Sequence, residues 1–163
     1  MAVKEILKDG NPILRRKSRR IANITEEDRI VIQDLKDTLY AGDGVGLAAP
    51  QIGYLKRIFI VDLRDGSEPI IMINPKIVKK IGTSEDIEGC LSYPGYEGIV
   101  VRPRKIMVSG SNENGKLVKL EVTGFLARAI CHETDHLDGI MYMDNAKNIY
   151  KIQLEEDVDS KNS

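Results

Sequence analysis

A chain of 163 residues with 42% hydrophobic and 30% charged residues has the length and balance of one globular domain with a real core. A formal net charge of −1 argues against a broad electrostatic footprint for nucleic acid. No apolar run approaches the ~18–20 residues of a membrane span, and MAVKEILKDGNP lacks the apolar core of a secretory signal. The expected compartment is the cytoplasm, where Cys90 and Cys131 stay reduced and unpaired.

No internal repeat, low-complexity segment or linker divides the chain, so residues 1–163 are expected to form a single domain. The basic run Arg15, Arg16, Lys17, Arg19 and Arg20 reads as a solvated surface segment. The first helix is predicted to start near Thr25, a capping residue followed by Glu26, Glu27 and Asp28 at the positive end of the helix dipole. Val31, Leu35 and Leu39 mark its apolar face, and the glycines of AGDG (41–44) end it. GVGLAAPQIG (44–53) is too rich in glycine and alanine to read as a regular strand. RIFIVDL (57–63), PIIMINP (69–75), IVVR (99–102), KIMVSG (105–110) and KLVKLEVTG (116–124) read as strands, the last by clean alternation after the turn signal ENG (113–115). A second helix covers 125–138 and stops at Gly139. A weaker helical segment is expected near 145–155, followed by a polar tail, about 156–163, that frays.

The second helix carries both histidines of the chain. At about 100° per residue, His132, Phe125, His136, Ala129, Glu133, Leu126, Leu137 and Ile130 share one arc. Thr134, Ala127, Asp138, Cys131, Asp135 and Arg128 share the other. Histidines four apart project from the same face, close enough to reach one metal ion, with Glu133 rotated beside them. Two imidazoles and a carboxylate within an apolar stripe need partners, and a metal satisfies all three. Cys131 lies about 100° away from His132 and reads as a packing residue. A third ligand must come from elsewhere. Tyr142 stands where an HExxHxxGxxH site needs its third histidine. Glu155 and Glu156 fall at the spacing of a downstream glutamate ligand, though in an acidic tail ill suited to hold one rigidly. Cys90, in EGCLS (88–92), is the remaining candidate.

GVGLAAPQ (44–51), EGCLS (88–92) and HETDH (132–136) closely resemble, in order and spacing, the peptide deformylases, whose motifs read GxGxAAxQ, EGCxS and QHExDH. The likeness extends to ILKDGNPILRRKS and DHLDGI and covers nearly all of residues 3–145. Two departures stand out. Cys131 occupies the place of the usual glutamine, and the arginine that some members carry after EGCLS falls here at Glu97 or Gly98.

The resemblance implies a metal-dependent hydrolase that removes the formyl group from formyl-methionyl nascent peptides. Cys90, His132 and His136 would hold one divalent ion, and Glu133 would transfer the proton. The Gln51 amide and the Leu91 backbone N–H would face the oxyanion. Val45, Gly46 and Gly89 suit strand-like pairing with an extended peptide, and Phe125 and Ala129 suit a methionine pocket. Mixed sulfur and nitrogen ligands admit Zn²⁺, Fe²⁺, Co²⁺ or Ni²⁺; the resemblance implies Fe²⁺. The expected architecture is α+β, with antiparallel or mixed strands packed around a central metal-binding HExxH helix and with an N-terminal and a C-terminal helix. Expected partners are formyl-methionyl peptides, with the ribosome left open, no sequence-specific nucleic acid and no membrane. The expected state is a monomer. The rival readings are an HExxH peptidase using Glu155 or Glu156, and a structural metal site or inactive peptide binder.

Overall fold

Thr25 opens the first helix as its sequence predicts. Its hydroxyl accepts from the Asp28 N–H and the Asp28 carboxylate accepts from the Thr25 N–H, closing a capping box on α1 (Glu26–Tyr40). The computed structural model describes residues 2–153. The strands follow as β1 (Gly46–Ala48), β2 (Ile58–Val61), β3 (Ile70–Ile81), β4 (Ser84–Cys90), β5 (Tyr93–Arg102), β6 (Lys105–Ser111) and β7 (Leu117–Thr123). Then come α2 (Gly124–Leu137) and β8 (Lys147–Lys151).

The strands form two antiparallel sheets, ordered β1-β2-β3-β6-β7 and β4-β5-β8. Among the described residues the single parallel pairing is the isolated bridge Arg19–Lys56, so the sheets are antiparallel rather than mixed. The larger sheet is buried on both faces at β2. Phe59 and Val61 point into a cluster with Ile130, Cys131 and Leu137 of α2. Ile58 and Ile60 point the other way, against Val31, Leu35 and Leu39 of α1. That explains why RIFIVDL is a continuous apolar run: a strand covered by a helix on each side has no solvent face to alternate toward.

Four expectations need correction. GVGLAAPQIG does contain a strand, because Gly46, Leu47 and Ala48 pair with Val61, Ile60 and Phe59. Gly46 and Ala48, with little or no side chain, suit a strand pressed closely against its neighbours, and Leu47 is fully buried. β4 was not anticipated; SEDIEGC has no β-branched run, and pairing with β5 makes it a strand. The C-terminal helix is absent among the described residues. Residues 147–151 add instead to the edge of β5, so long-range pairing overrides local helical spacing. The two arcs of α2 are not a core face and a solvent face. Ala127, Arg128, Cys131 and Thr134 are buried, whereas Phe125 is 53% exposed. The expected frayed tail, together with Glu155 and Glu156, lies outside the described residues.

Candidate active site

Helix α2 packs against β1, β2 and β7, and its C-terminal half presents His132, Glu133 and His136. The two imidazole centroids are 5.0 Å apart. Opposite them, β4 ends at Cys90, just before its turn into β5. The Cys90 Sγ lies 3.2 Å from His136 Nε2, a contact spanning 46 residues of sequence. Cys90, His132 and His136 are the candidate metal-holding group among the described residues, with ligand atoms all within 4.8 Å of one another. Metal–sulfur and metal–nitrogen bonds of about 2.3 and 2.0–2.1 Å in a tetrahedral set put sulfur and nitrogen about 3.5 Å apart. The donor set therefore fits a divalent ion in spacing as well as in chemistry.

The remaining ring nitrogen of His132 is fixed from behind. Its Nδ1 lies 2.9 Å from Glu88 Oε1, and a carboxylate can only accept, so Nδ1 carries a proton and Nε2 is the nitrogen left to face a metal. Glu88 is itself clamped. Arg102 reaches both its oxygens at 2.8 and 2.9 Å, and Arg128 reaches Oε2 at 2.7 Å. Arg102 also pairs with Asp135, and Arg128 satisfies the Val100 and Ser84 carbonyls. Burial alone would raise the Glu88 carboxyl, but the hydrogen bonds from Arg102 and His132 outweigh it and hold the group well below the usual carboxylate range. Burial drives His136 well below its ordinary value, which keeps it neutral and ready to ligate.

Glu133 sits deep beside the histidines. Burial pushes its carboxyl up to about 7, and its Oε1 has no hydrogen-bond partner. Gly46 lies so close that a Cβ there would stand 2.5 Å from Glu133 Oε2. Gln51, 1% exposed, lies in the helical turn after β1 and is held by the end of that strand: its Oε1 accepts from the Ala48 N–H at 2.9 Å. That leaves its Nε2 facing Ser92 Oγ at 3.1 Å and Cys90 Sγ at 3.7 Å.

These groups open into a cleft of about 390 Å³. Its walls include Val45 and Gly46 on one side and Gly89, Cys90 and Leu91 on the other. Phe125 and Ala129 lie along α2 between them. The walls belong to β1 and β4, each the terminal strand of its sheet. The cleft thus runs between two sheet edges. Every residue singled out for the site lines this cleft except His136, which lies beneath it at 1% exposure. Tyr142 stacks on the His132 ring at 6.2 Å and offers no ligand in place of a third histidine.

Residues 3–151 match the polypeptide deformylase family. The chain belongs to that family. It is 46% identical over 144 residues to the peptide deformylase of Alkaliphilus metalliredigens, spanning 88% of this chain and 97% of that one. It is 45% identical over 149 residues to that of Halothermothrix orenii, spanning 91% and 97%. The fold superposes on the peptide deformylase structure from Thermotoga maritima with a TM-score of 0.86 at 35% identity, covering 91% of this chain and 100% of that one. The enzyme is a metal-dependent hydrolase that removes the formyl group from formyl-methionyl nascent peptides.

Two departures from the deformylase pattern have clear locations. Cys131, in place of the usual glutamine, packs in the core against α2's neighbours, and burial raises its thiol to about 11. It is the packing residue the helical wheel describes. Glu97, rather than Gly98, stands on the cleft wall and accepts a hydrogen bond from Tyr150 at 3.3 Å. The cluster of Glu88, Arg102, Arg128 and Asp135 was not anticipated. Its one sequence signal was Arg128 and Asp135 lying on the helix that carries the histidines, and that signal is uninterpretable without knowing that both faces are buried.

Proposed function

We propose that Cys90, His132 and His136 hold one divalent ion and that Glu133, Gln51 and Leu91 carry the hydrolysis around it. The observation that carries this reading is the 3.2 Å approach of Cys90 Sγ to His136 Nε2, with the unpartnered Glu133 carboxylate alongside. On this reading α2 is the central metal-binding helix of the fold. An ion in this set supplies Lewis acidity and makes a water nucleophilic at neutral pH.

The chain's own groups do the rest. Glu133 accepts the proton of the attacking water and returns it to the departing amine nitrogen, so that formate and a free N-terminus leave. A carboxyl pushed toward 7 by burial is suited to both halves of that exchange. Negative charge develops on the formyl oxygen. The Gln51 Nε2 and the Leu91 backbone N–H donate to it, each worth roughly 10²–10³ in rate. Gln51 is suited to this because its Oε1 is already tied to Ala48, which fixes which way the amide points. Val45 and Gly46 on one sheet edge and Gly89 on the other pair with the extended peptide backbone. Phe125 and Ala129 receive the methionine side chain.

The ion is read as Fe²⁺, with Zn²⁺, Ni²⁺ and Co²⁺ compatible with the same ligands. The protein is further read as one catalytic domain and a cytoplasmic monomer that acts on formyl-methionyl peptides. No helix among the described residues is long and apolar enough to cross a membrane. The decisive assay measures formate release from formyl-Met-Ala-Ser with bound metal quantified in the same sample. Glu133→Ala is expected to keep the metal and stop formate release. Full activity in that variant would remove Glu133 from the mechanism. Activity lost in air and restored by Ni²⁺ or Co²⁺ supports iron; stable full activity in air with zinc alone would exclude it.

A further inference from the structure

The wall of the cleft formed by residues 42–46 has almost no side chain of its own with which to hold its place. It reads Gly42, Asp43, Gly44, Val45, Gly46 and connects the end of α1 to β1. Two close fits give it its position on the inner side. A Cβ on Gly44 would stand 2.7 Å from Leu91 Cδ1, and one on Gly46 would stand 2.5 Å from Glu133 Oε2. Glycines that permit such contact also leave the backbone free to move.

The outer side is held by Arg64, an exposed residue just beyond β2 that lines no part of the cleft. Its Nη2 lies 2.9 Å from the Leu39 carbonyl, 3.0 Å from that of Gly42 and 3.0 Å from that of Gly44. A role confined to capping α1 would need only the first of these. The guanidinium rests over the Tyr40 ring, 5.1 Å from its centroid, and the Tyr40 hydroxyl donates to Asp62 at 2.8 Å. Asp62 in turn accepts the Arg64 N–H at 2.9 Å, and its own N–H donates to the Val45 carbonyl at 2.7 Å. Arg64 adopts φ of 61°, a left-handed conformation in which glycine would be unstrained. A strained backbone that delivers one guanidinium nitrogen to the meeting point of three carbonyls points to a use for that side chain.

We propose that Arg64 is a positioning residue for the deformylation reaction: it clamps the glycine-rich wall from outside so that the backbone of Val45 and Gly46 is set for the peptide. The inference rests on the reading of Val45 and Gly46 as the peptide-pairing edge. Displacing that edge by a fraction of an ångström weakens peptide pairing, whereas the metal ligands stand on α2 and β4 and Gln51 is tied at Ala48.

Arg64→Gly and Arg64→Lys separate this role from simple stabilisation. The glycine variant relieves the left-handed strain and removes the fork. The lysine variant keeps a charged donor head but loses the planar guanidinium that rests over the Tyr40 ring and is held there in one orientation. With the metal content matched to wild type, Arg64→Gly is expected to raise KM for formyl-Met-Ala-Ser by about tenfold with kcat within about twofold. Arg64→Lys falls between it and wild type. Hydrogen–deuterium exchange of residues 42–46 is expected to speed up in the same order. Unchanged KM, or unchanged exchange in residues 42–46, in a folded Arg64→Gly protein overturns the proposal. So does a fall in kcat with KM unchanged. If Arg64→Gly does not fold, the same criteria apply to Arg64→Lys. A substrate with an ester in place of its Met–Ala amide, which leaves the formyl amide intact, separates the two ideas. Wild-type KM unaffected by that ester would defeat the strand-pairing reading, whereas exchange in residues 42–46 reports the clamp alone.

Discussion

Glu133 is a buried carboxylate with one oxygen left unpartnered, and its neighbour Gly46 has no side chain to crowd it. Glu133→Gln preserves the shape and removes the proton carrier, so kcat is expected to fall by about 10²–10⁴ with metal content unchanged. Metal analysis beside formate release checks both parts. Glu88 acts one layer behind. Replacing it with Gln leaves Arg102 and Arg128 buried beside a neutral partner, which is expected to cost about 3–5 kcal/mol in denaturant unfolding. Metal affinity is expected to weaken by about 10–100-fold as His132 loses its anchor. The pH dependence has a definite sign. Glu88 titrates below its ordinary value of 4.5 in the folded protein. Its stabilisation is therefore complete above that value and is lost as pH falls through the lower folded value. The stability gap between wild type and Glu88→Gln should thus be constant near neutrality and narrow only in strong acid. A gap that grew on acidification would contradict the clamp.

At the scale of elements, the site is assembled from one helix and two sheet edges. β1 is three residues long, yet it places Gly46 against Glu133 and ties Gln51 through Ala48. Gly46→Ala makes the test. The atom a new Cβ would meet is the tip of a side chain, so the fold can yield there at little cost. The carboxylate that yields is the proposed proton carrier. Activity should therefore fall by at least about tenfold while the melting temperature shifts by only a few degrees. A large loss of stability with activity intact would show that the close fit serves packing alone. β2 gives the opposite contrast. Ile60 is fully buried between the sheet and α1. Ile60→Ala should cost about 2–5 kcal/mol of stability with kcat of the folded enzyme little changed.

For the whole molecule, two cysteines with different surroundings report on the fold. Cys90 is partly exposed in the cleft, whereas Cys131 is 4% exposed in the core. Burial lifts the Cys131 thiol from 9.0 to about 11, so the stabilisation from keeping it neutral is present below 9 and is lost as pH rises through about 11. Alkylation of the native, metal-stripped protein near neutral pH should label Cys90 alone, and Cys131 should react only on unfolding. Labelling of Cys131 in the native state would contradict its place in the core. Because the three proposed ligands join α2 to β4, a bound ion cross-links distant parts of the chain. Stripping it with a chelator should lower the melting temperature, and restoring excess metal should recover it. A melting temperature indifferent to metal would argue that these residues hold no ion in the folded protein.

Much of this protein is legible in local sequence. The Thr25 cap, the stripe of Val31, Leu35 and Leu39, and the common face of His132, Glu133 and His136 depend on spacings of three and four residues, which backbone geometry dictates wherever a helix forms. The wheel likewise turned Cys131 away from the histidines. What only the tertiary structure decided are contacts between segments distant in sequence. Cys90 meets His136 across 46 residues, and Glu88 meets Arg128 across 40. β8 becomes a strand because an unpaired edge of β5 is available to it, and α2 is buried on both arcs because β4, β5 and the larger sheet enclose it. Local periodicity determines which way a side chain points from its own element. Which group it then meets is set by sheet order and packing, and those are properties of the whole chain.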